Sequence, residues 1–61
     1  MPIVRIDLRA GRTVEQKRKL VETVTKAVVD SVGAPAESVT VIIQDMAKED
    51  HAIAGKLDCD M

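Results

Sequence analysis

Residues 11–35 read GRTVEQKRKLVETVTKAVVDSVGAP, and they decide the fold because they carry both ends of one helix. Thr13, followed three residues later by Gln16, forms a capping box: the threonine oxygen accepts from the third helical amide while the glutamine side chain reaches back to the cap. Leu20, Val21, Val24, Ala27, Val28 and Val32 recur at steps of three and four, which lays one apolar stripe along the helix. The other face carries Glu15 four residues before Lys19 and Glu22 four before Lys26, the favourable order for exposed ion pairs and so a solvated face. Gly33 tolerates a left-handed cap and Pro35 cannot continue a helix, which places the expected end near Val32.

Upstream of this helix, Pro2 to Leu8 alternate. Val4, Ile6 and Leu8 point one way and Ile3, Arg5 and Asp7 the other, the pattern of a strand with one apolar face. Gly11, within RAGR at 9–12, permits the turn between this strand and the helix. Downstream, SVTVIIQDM at 38–46 reads as a second strand, with Val39, Val41 and Ile43 on one face and Thr40, Ile42 and Gln44 on the other. Strand, helix, strand is a βαβ unit, whose strands lie parallel with a right-handed crossover. The remaining AKEDHAIAGKLDCDM, 47–61, predicts a turn at 48–50 and a short extended segment from His51 to Ala54 that ends at Gly55. The predicted class is α/β (α+β): one domain over residues 1–61, a βαβ subunit with parallel strands and a short C-terminal extended segment. Two strands and one helix leave a sheet face and both edges bare, so oligomerisation is expected to complete the sheet.

Composition points the same way. The chain has 61 residues and no Phe, Tyr or Trp, and a domain of this size buries only about 60% of the surface its unfolded form exposes. Cys59 is the single cysteine, which excludes an intrachain disulfide, and no Cys/His spacing resembles a zinc site. A chain this small without such staples gains its missing burial from partner subunits, so a homo-oligomer is expected. Nine basic and ten acidic residues give a formal charge of −1 and are interspersed, leaving no electrostatic footprint for nucleic acid or an anionic membrane surface. Without aromatics there is no base-stacking platform either. No apolar run approaches the ~20 residues that span a bilayer, and the first residues lack a signal-peptide pattern; the cytoplasm is the expected location. Glu49, Asp50 and His51 are consecutive and so ill placed to converge on one ion, and Cys59 between two aspartates lacks the electropositive setting of a reactive thiol. No metal and no cofactor are expected.

Pro2, the first strand, GRTVEQKRKLVETVTKAV (11–28), GAP (33–35), SVTVIIQDMAK (38–48) and AIAGK (52–56) occur in one order and spacing. Together they resemble the 4-oxalocrotonate tautomerase family, small enzymes with an N-terminal catalytic proline, over essentially the whole chain. The resemblance implies βαβ subunits that pair into a four-stranded sheet with two helices, and three such dimers in a hexamer. It implies a cofactor-independent keto-enol tautomerase, an isomerase of the kind used in aromatic-compound degradation, acting on a small carboxylate such as a 2-hydroxy-dienoate or 2-oxo acid.

That chemistry suits these residues. A neutral amine can take a proton from an enol, or from a carbon beside a carbonyl, and return it elsewhere on the conjugated acid. Pro2 offers a rigid secondary amine once Met1 is removed, because an amide nitrogen is no base. Apolar burial and a nearby arginine would both favour its neutral form. Arg12 matches the family's carboxylate-binding arginine, whose planar fork holds a carboxylate in two parallel hydrogen bonds. Without the resemblance, Pro2 reads as a permitted first strand residue and Arg12 as a solvated loop residue. From residue 2 to residue 12 an extended chain reaches roughly 33 Å at ~3.3 Å per residue, so the two are expected to meet across a subunit boundary.

The chain also departs from the family pattern. Thr40 stands where members acting on 2-hydroxymuconate carry a second arginine, and His51 where they carry an aromatic wall residue after MAK. Thr40 can hydrogen-bond a substrate but cannot neutralise a second carboxylate, a task Arg9 could take over. His51 reads either as a pocket residue, acid or base, or as a surface or interface histidine; Ile3, Ile42 and Ile53 are candidate pocket walls. The Arg9 and Arg12 pair is similar to the arginine pair of the trans-3-chloroacrylic acid dehalogenase branch, in which a protonated proline acts as the acid and a glutamate activates water. Glu49 and Asp50 match that glutamate poorly, so a dehalogenase or hydratase of 3-haloacrylate-like acids is the alternative. A non-catalytic oligomeric module that kept the fold is a further one.

Overall fold

A computed structural model covers residues 1–61. Strand β1 (Ile3–Arg9) leads into helix α1 (Val14–Val32), a 3-10 turn at Ala36–Ser38, strand β2 (Thr40–Met46) and a second 3-10 turn at Lys48–Asp50. Two short strands, β3 (Ala52–Ile53) and β4 (Lys56–Leu57), and a 3-10 turn at Asp58–Asp60 complete the chain. β1 and β2 pair in parallel, in register from Ile3 opposite Thr40 to Arg9 opposite Met46, which is the βαβ unit expected from the sequence. Pro2 lies just outside β1, but its carbonyl accepts from Thr40 N–H over 3.0 Å, and at the far end Ala10 N–H donates to the Met46 carbonyl over 2.9 Å.

The capping box at the start of α1 is present as expected: Gln16 N–H donates to Thr13 Oγ1 over 3.1 Å and Thr13 N–H donates to Gln16 Oε1 over 2.9 Å. Gly33 closes the helix in the left-handed conformation (φ 75°), its N–H donating to the Val29 carbonyl, where a Cβ would be strained. Along β1, Val4, Ile6 and Leu8 are half-buried while Ile3, Arg5, Asp7 and Arg9 are exposed. Leu8 and Leu20 line one cavity, so the apolar face of the strand is the face toward the helix.

Four details differ from the sequence reading. The half-buried helix stripe is Leu20, Val21, Val24, Thr25, Val28 and Val29, whereas Ala27 and Val32 are exposed. Ala27 sits at the stripe's margin, and a 19-residue helix of about 28 Å outruns a seven-residue strand of about 23 Å, leaving Val32 in the unpacked last turn. On the solvated face Glu15 pairs with Arg18, and Lys26 pairs with Asp30 at 2.8 Å, in place of Glu15 with Lys19 and Glu22 with Lys26. Exposed side chains three or four apart have equivalent partners, so spacing alone does not choose among them. Ser38 and Val39 precede β2 rather than opening it, because Ser38 Oγ and N–H both turn back to the Pro35 carbonyl.

The largest difference is at the C-terminal end. His51 to Ile53 is extended as expected, but Ala54 already turns and the chain doubles back as an antiparallel hairpin, Ala52 opposite Leu57 and Ile53 opposite Lys56. Ala54 (φ 53°) and Gly55 (φ 80°) are both left-handed, the requirement of a two-residue turn whose twist matches that of its strands. Alanine is a poor advertisement for that conformation, which is why the turn was not legible.

No residue of the isolated chain is fully buried, and Ile3, Ile42 and Ile53 are 58%, 38% and 55% exposed. The chain is a thin plate, 43 × 24 × 13 Å, with one layer of helix on two strands. Its core is therefore open on the sheet face that the helix does not cover.

Candidate active site

Pro2 is half-buried and stands at the start of β1, tied through its carbonyl to the first residue of β2, Thr40. Thr40 is half-buried as well and faces Ile3 across the ladder. Pro2, Ile3 and Thr40 thus share one end of the sheet. Ile42 pairs with Arg5 on the open face and is exposed together with Ile3, so an apolar patch adjoins the proline.

Arg12 lies at the opposite end. The turn after β1 carries it to the mouth of α1, where with Leu8, Gln16, Lys17 and Leu20 it lines a cavity of about 250 Å³. Its guanidinium has no partner within the chain. Lys17, the second cation there, is held by Asp45 of β2 at 2.6 Å, which fastens the helix to the sheet beside the cavity. The seven residues of β1 separate Pro2 from Arg12 by about 23 Å at ~3.3 Å per residue. One chain therefore does not bring the two together.

Two other candidates converge unexpectedly. Arg9 and His51 both engage Asp58, whose side chain is only 10% exposed. Arg9 Nη2 donates to Asp58 Oδ1 over 3.4 Å and Nε lies 3.2 Å from Oδ2, while His51 Nδ1 lies 2.9 Å from Oδ2. The main chain repeats the link, Asp58 N–H donating to the His51 carbonyl over 2.9 Å. Arg9 and Asp58 also line a second cavity of about 270 Å³ with Ala10, Met46, Lys48 and Met61. Asp58 was missed in the sequence. It is 49 positions from Arg9, and only the hairpin, itself illegible, carries it back. Ile53 projects exposed from that hairpin. No grouping of three or more His, Cys, Asp or Glu side chains could hold a metal ion, and no helix is long and apolar enough to cross a membrane.

The open βαβ plate is a fold that known proteins share. The family model described as "Tautomerase enzyme" matches residues 2–58. The chain belongs to the tautomerase family. It is 49% identical to the 2-hydroxymuconate tautomerase of Bacillus subtilis strain 168 over 61 residues, covering 100% of this chain and 98% of that one. Among solved structures it is similar to YwhB, a homologue of 4-oxalocrotonate tautomerase, with a TM-score of 0.94, 48% identity and 98% of both chains covered. It is also similar to a subunit of the heterohexamer 4-oxalocrotonate tautomerase from Chloroflexus aurantiacus J-10-fl, with a TM-score of 0.90, 26% identity, and 100% and 98% of the two chains covered. This tautomerase is accordingly an isomerase, akin to the 2-hydroxymuconate and 4-oxalocrotonate tautomerases.

Proposed function

We propose that this tautomerase is a cofactor-independent keto-enol isomerase of small 2-hydroxy-dienoates or 2-oxo acids, assembled as a homohexamer, with Pro2 as base and Arg12 as carboxylate anchor. The observation that carries this reading is the separation of Pro2 and Arg12 at opposite ends of β1 in a subunit without a closed core. Neither residue alone makes a site; a second subunit paired antiparallel along the bare edge of the sheet would bring its Arg12 toward the first subunit's Pro2. The heterohexamer among its structural relatives supports that assembly.

Loss of Met1 frees the Pro2 nitrogen as a secondary amine. The amine takes the proton of the substrate's 2-hydroxyl; the oxygen becomes a carbonyl, the double-bond electrons shift along the conjugated chain, and the ammonium returns its proton to a distal carbon. Protons and electrons balance without an external acceptor. Arg12 holds the carboxylate and favours the charge that builds toward that end. Thr40 stands one hydrogen bond from Pro2's carbonyl and supplies a hydroxyl to the same end, while Ile3 and Ile42 provide apolar walls there and Ile53, on the hairpin tied to Arg9 at the far end of β1, would come from another subunit. Glu49 and Asp50 lie exposed in their 3-10 turn, so the water-activating chemistry of a dehalogenase has less support.

Ketonisation of 2-hydroxymuconate and phenylenolpyruvate, followed by ultraviolet absorbance, tests the reading on protein whose intact mass shows Met1 absent. Wild type is expected to turn over at least one of them far faster than Pro2→Ala. Equal measurable rates would overturn the role of Pro2, and turnover by neither protein would leave the non-catalytic module.

A further inference from the structure

The Asp58 carboxylate is the most enclosed charged group in the chain described above, and it does more than brace the hairpin. One oxygen, Oδ2, meets both Arg9 Nε at 3.2 Å and His51 Nδ1 at 2.9 Å, while Oδ1 takes Arg9 Nη2 at 3.4 Å. A carboxylate only accepts hydrogen bonds, so the ring nitrogen facing it carries the proton. That fixes Nε2 as the bare nitrogen of the neutral ring, and Nε2 has no partner within the chain. Arg9 is gripped along its Nε side, so its outer N–H groups remain free, and the side chain is 59% exposed at the rim of the 270 Å³ cavity beside Lys48.

We propose that Asp58 is a positioning residue that holds Arg9 and His51 as one unit, with the His51 proton on Nδ1. The unit presents a bare imidazole nitrogen and the outer edge of a guanidinium from the same carboxylate. Nε2 accepts from a hydroxyl and the guanidinium edge takes an anionic oxygen, which suits an acid carrying a hydroxyl near a carboxylate. The inference rests, for its substrate-facing half, on the proposed tautomerase site. Neither Arg9 nor His51 can be placed by its own short segment: Arg9 ends a strand on the exposed face, and His51 sits between a 3-10 turn and a two-residue strand. A third residue that binds both removes their rotational freedom before substrate arrives.

The chain has one histidine, so its ring nitrogens give an unambiguous nitrogen-15 NMR signature. At a pH where the ring is neutral, wild type is expected to show the proton on Nδ1, Asp58→Ala to move it to Nε2, the form an unrestrained imidazole prefers in water, and Asp58→Asn to keep it on Nδ1 by offering an amide oxygen. A wild-type ring protonated on Nε2, or an Asp58→Ala ring unchanged from wild type, overturns the proposal; the wild-type spectrum alone decides should the alanine variant fail to fold. With 2-hydroxymuconate as the probe, Asp58→Ala is expected to raise KM about tenfold with kcat changed less, and Asp58→Asn to recover part of that loss. A displaced tautomer with unchanged KM overturns the substrate-facing half. The spectrum is read without substrate, so it stands or falls separately from the Pro2 assay.

Discussion

Thr40 N–H donates to the Pro2 carbonyl over 3.0 Å, so the proline is seated by the second strand through a main-chain group and not through its ring. Any residue at position 2 keeps that carbonyl. Pro2→Ala is therefore expected to leave secondary structure and assembly unchanged, as read by circular dichroism and native mass spectrometry. Ketonisation should fall by about 10²–10⁴-fold, the usual contribution of a positioned base. Protein that retains Met1 should be as inactive as the variant, because its Pro2 nitrogen is an amide.

Arg12 is exposed and makes no ion pair within the chain, so its side chain adds little to stability. Arg12→Ala should move the unfolding free energy by less than about 0.5 kcal/mol. Its effect should appear in kcat/KM, lowered roughly 10- to 100-fold, the value of a charge-assisted hydrogen-bond pair to a carboxylate. Arg12→Lys should recover only part of the loss, since an ammonium lacks the planar fork. Steady-state kinetics and urea unfolding of the three proteins check this together.

A chain with no fully buried residue, assembled as proposed, would draw its stability from its neighbours, and stability that comes from association depends on concentration. The melting temperature should rise with protein concentration. Ile42→Glu puts a charge on the open sheet face, where Ile42 and Ile3 are exposed side by side with the ladder, and should dissociate the assembly and unfold the subunit in one transition. Native mass spectrometry and thermal scans at several concentrations read both effects. A well-folded monomer at all concentrations would contradict the packing described above.

What could be read from the sequence was whatever local chemistry dictates. Thr13 with Gln16, and Gly33 before Pro35, mark helix ends through bonds within a few residues, and the alternation of Val4, Ile6 and Leu8 reports one buried face directly. The parallel register followed, because a strand, a long helix and a second strand leave few other connections. The hairpin at Ala54 and Gly55 was hidden because alanine seldom adopts a positive φ, and with it went Asp58, whose partners come from β1 and from the residue before β3. The proposed roles of Pro2 and Arg12 come only through resemblance: their residue types are ordinary, and β1 stands between them and holds them apart. Val29 joined the packed stripe in place of Ala27 because helix position predicts a direction and not how far the opposing layer reaches.

The Thr13 cap tests whether local geometry and the site are coupled. Its hydroxyl accepts from Gln16 N–H, and Gln16 in turn accepts from Thr13 N–H, so each residue satisfies one otherwise unpaired amide. Thr13→Ala should cost about 1 kcal/mol of stability, and Gln16→Ala less, since Thr13 N–H is exposed and water can take over its bond. The double variant should cost less than the sum, because the two bonds share one geometry. Gln16 also lines the Arg12 cavity, and Arg12 immediately precedes the cap. Loosening the first turn should therefore raise KM for the carboxylate substrate about two- to fivefold while leaving the Pro2 step, and so kcat, nearly unchanged. Urea unfolding of the four proteins at one fixed concentration, with kinetics on the same preparations, separates the two effects; an unchanged KM alongside the stability loss would show that the cap serves the helix alone.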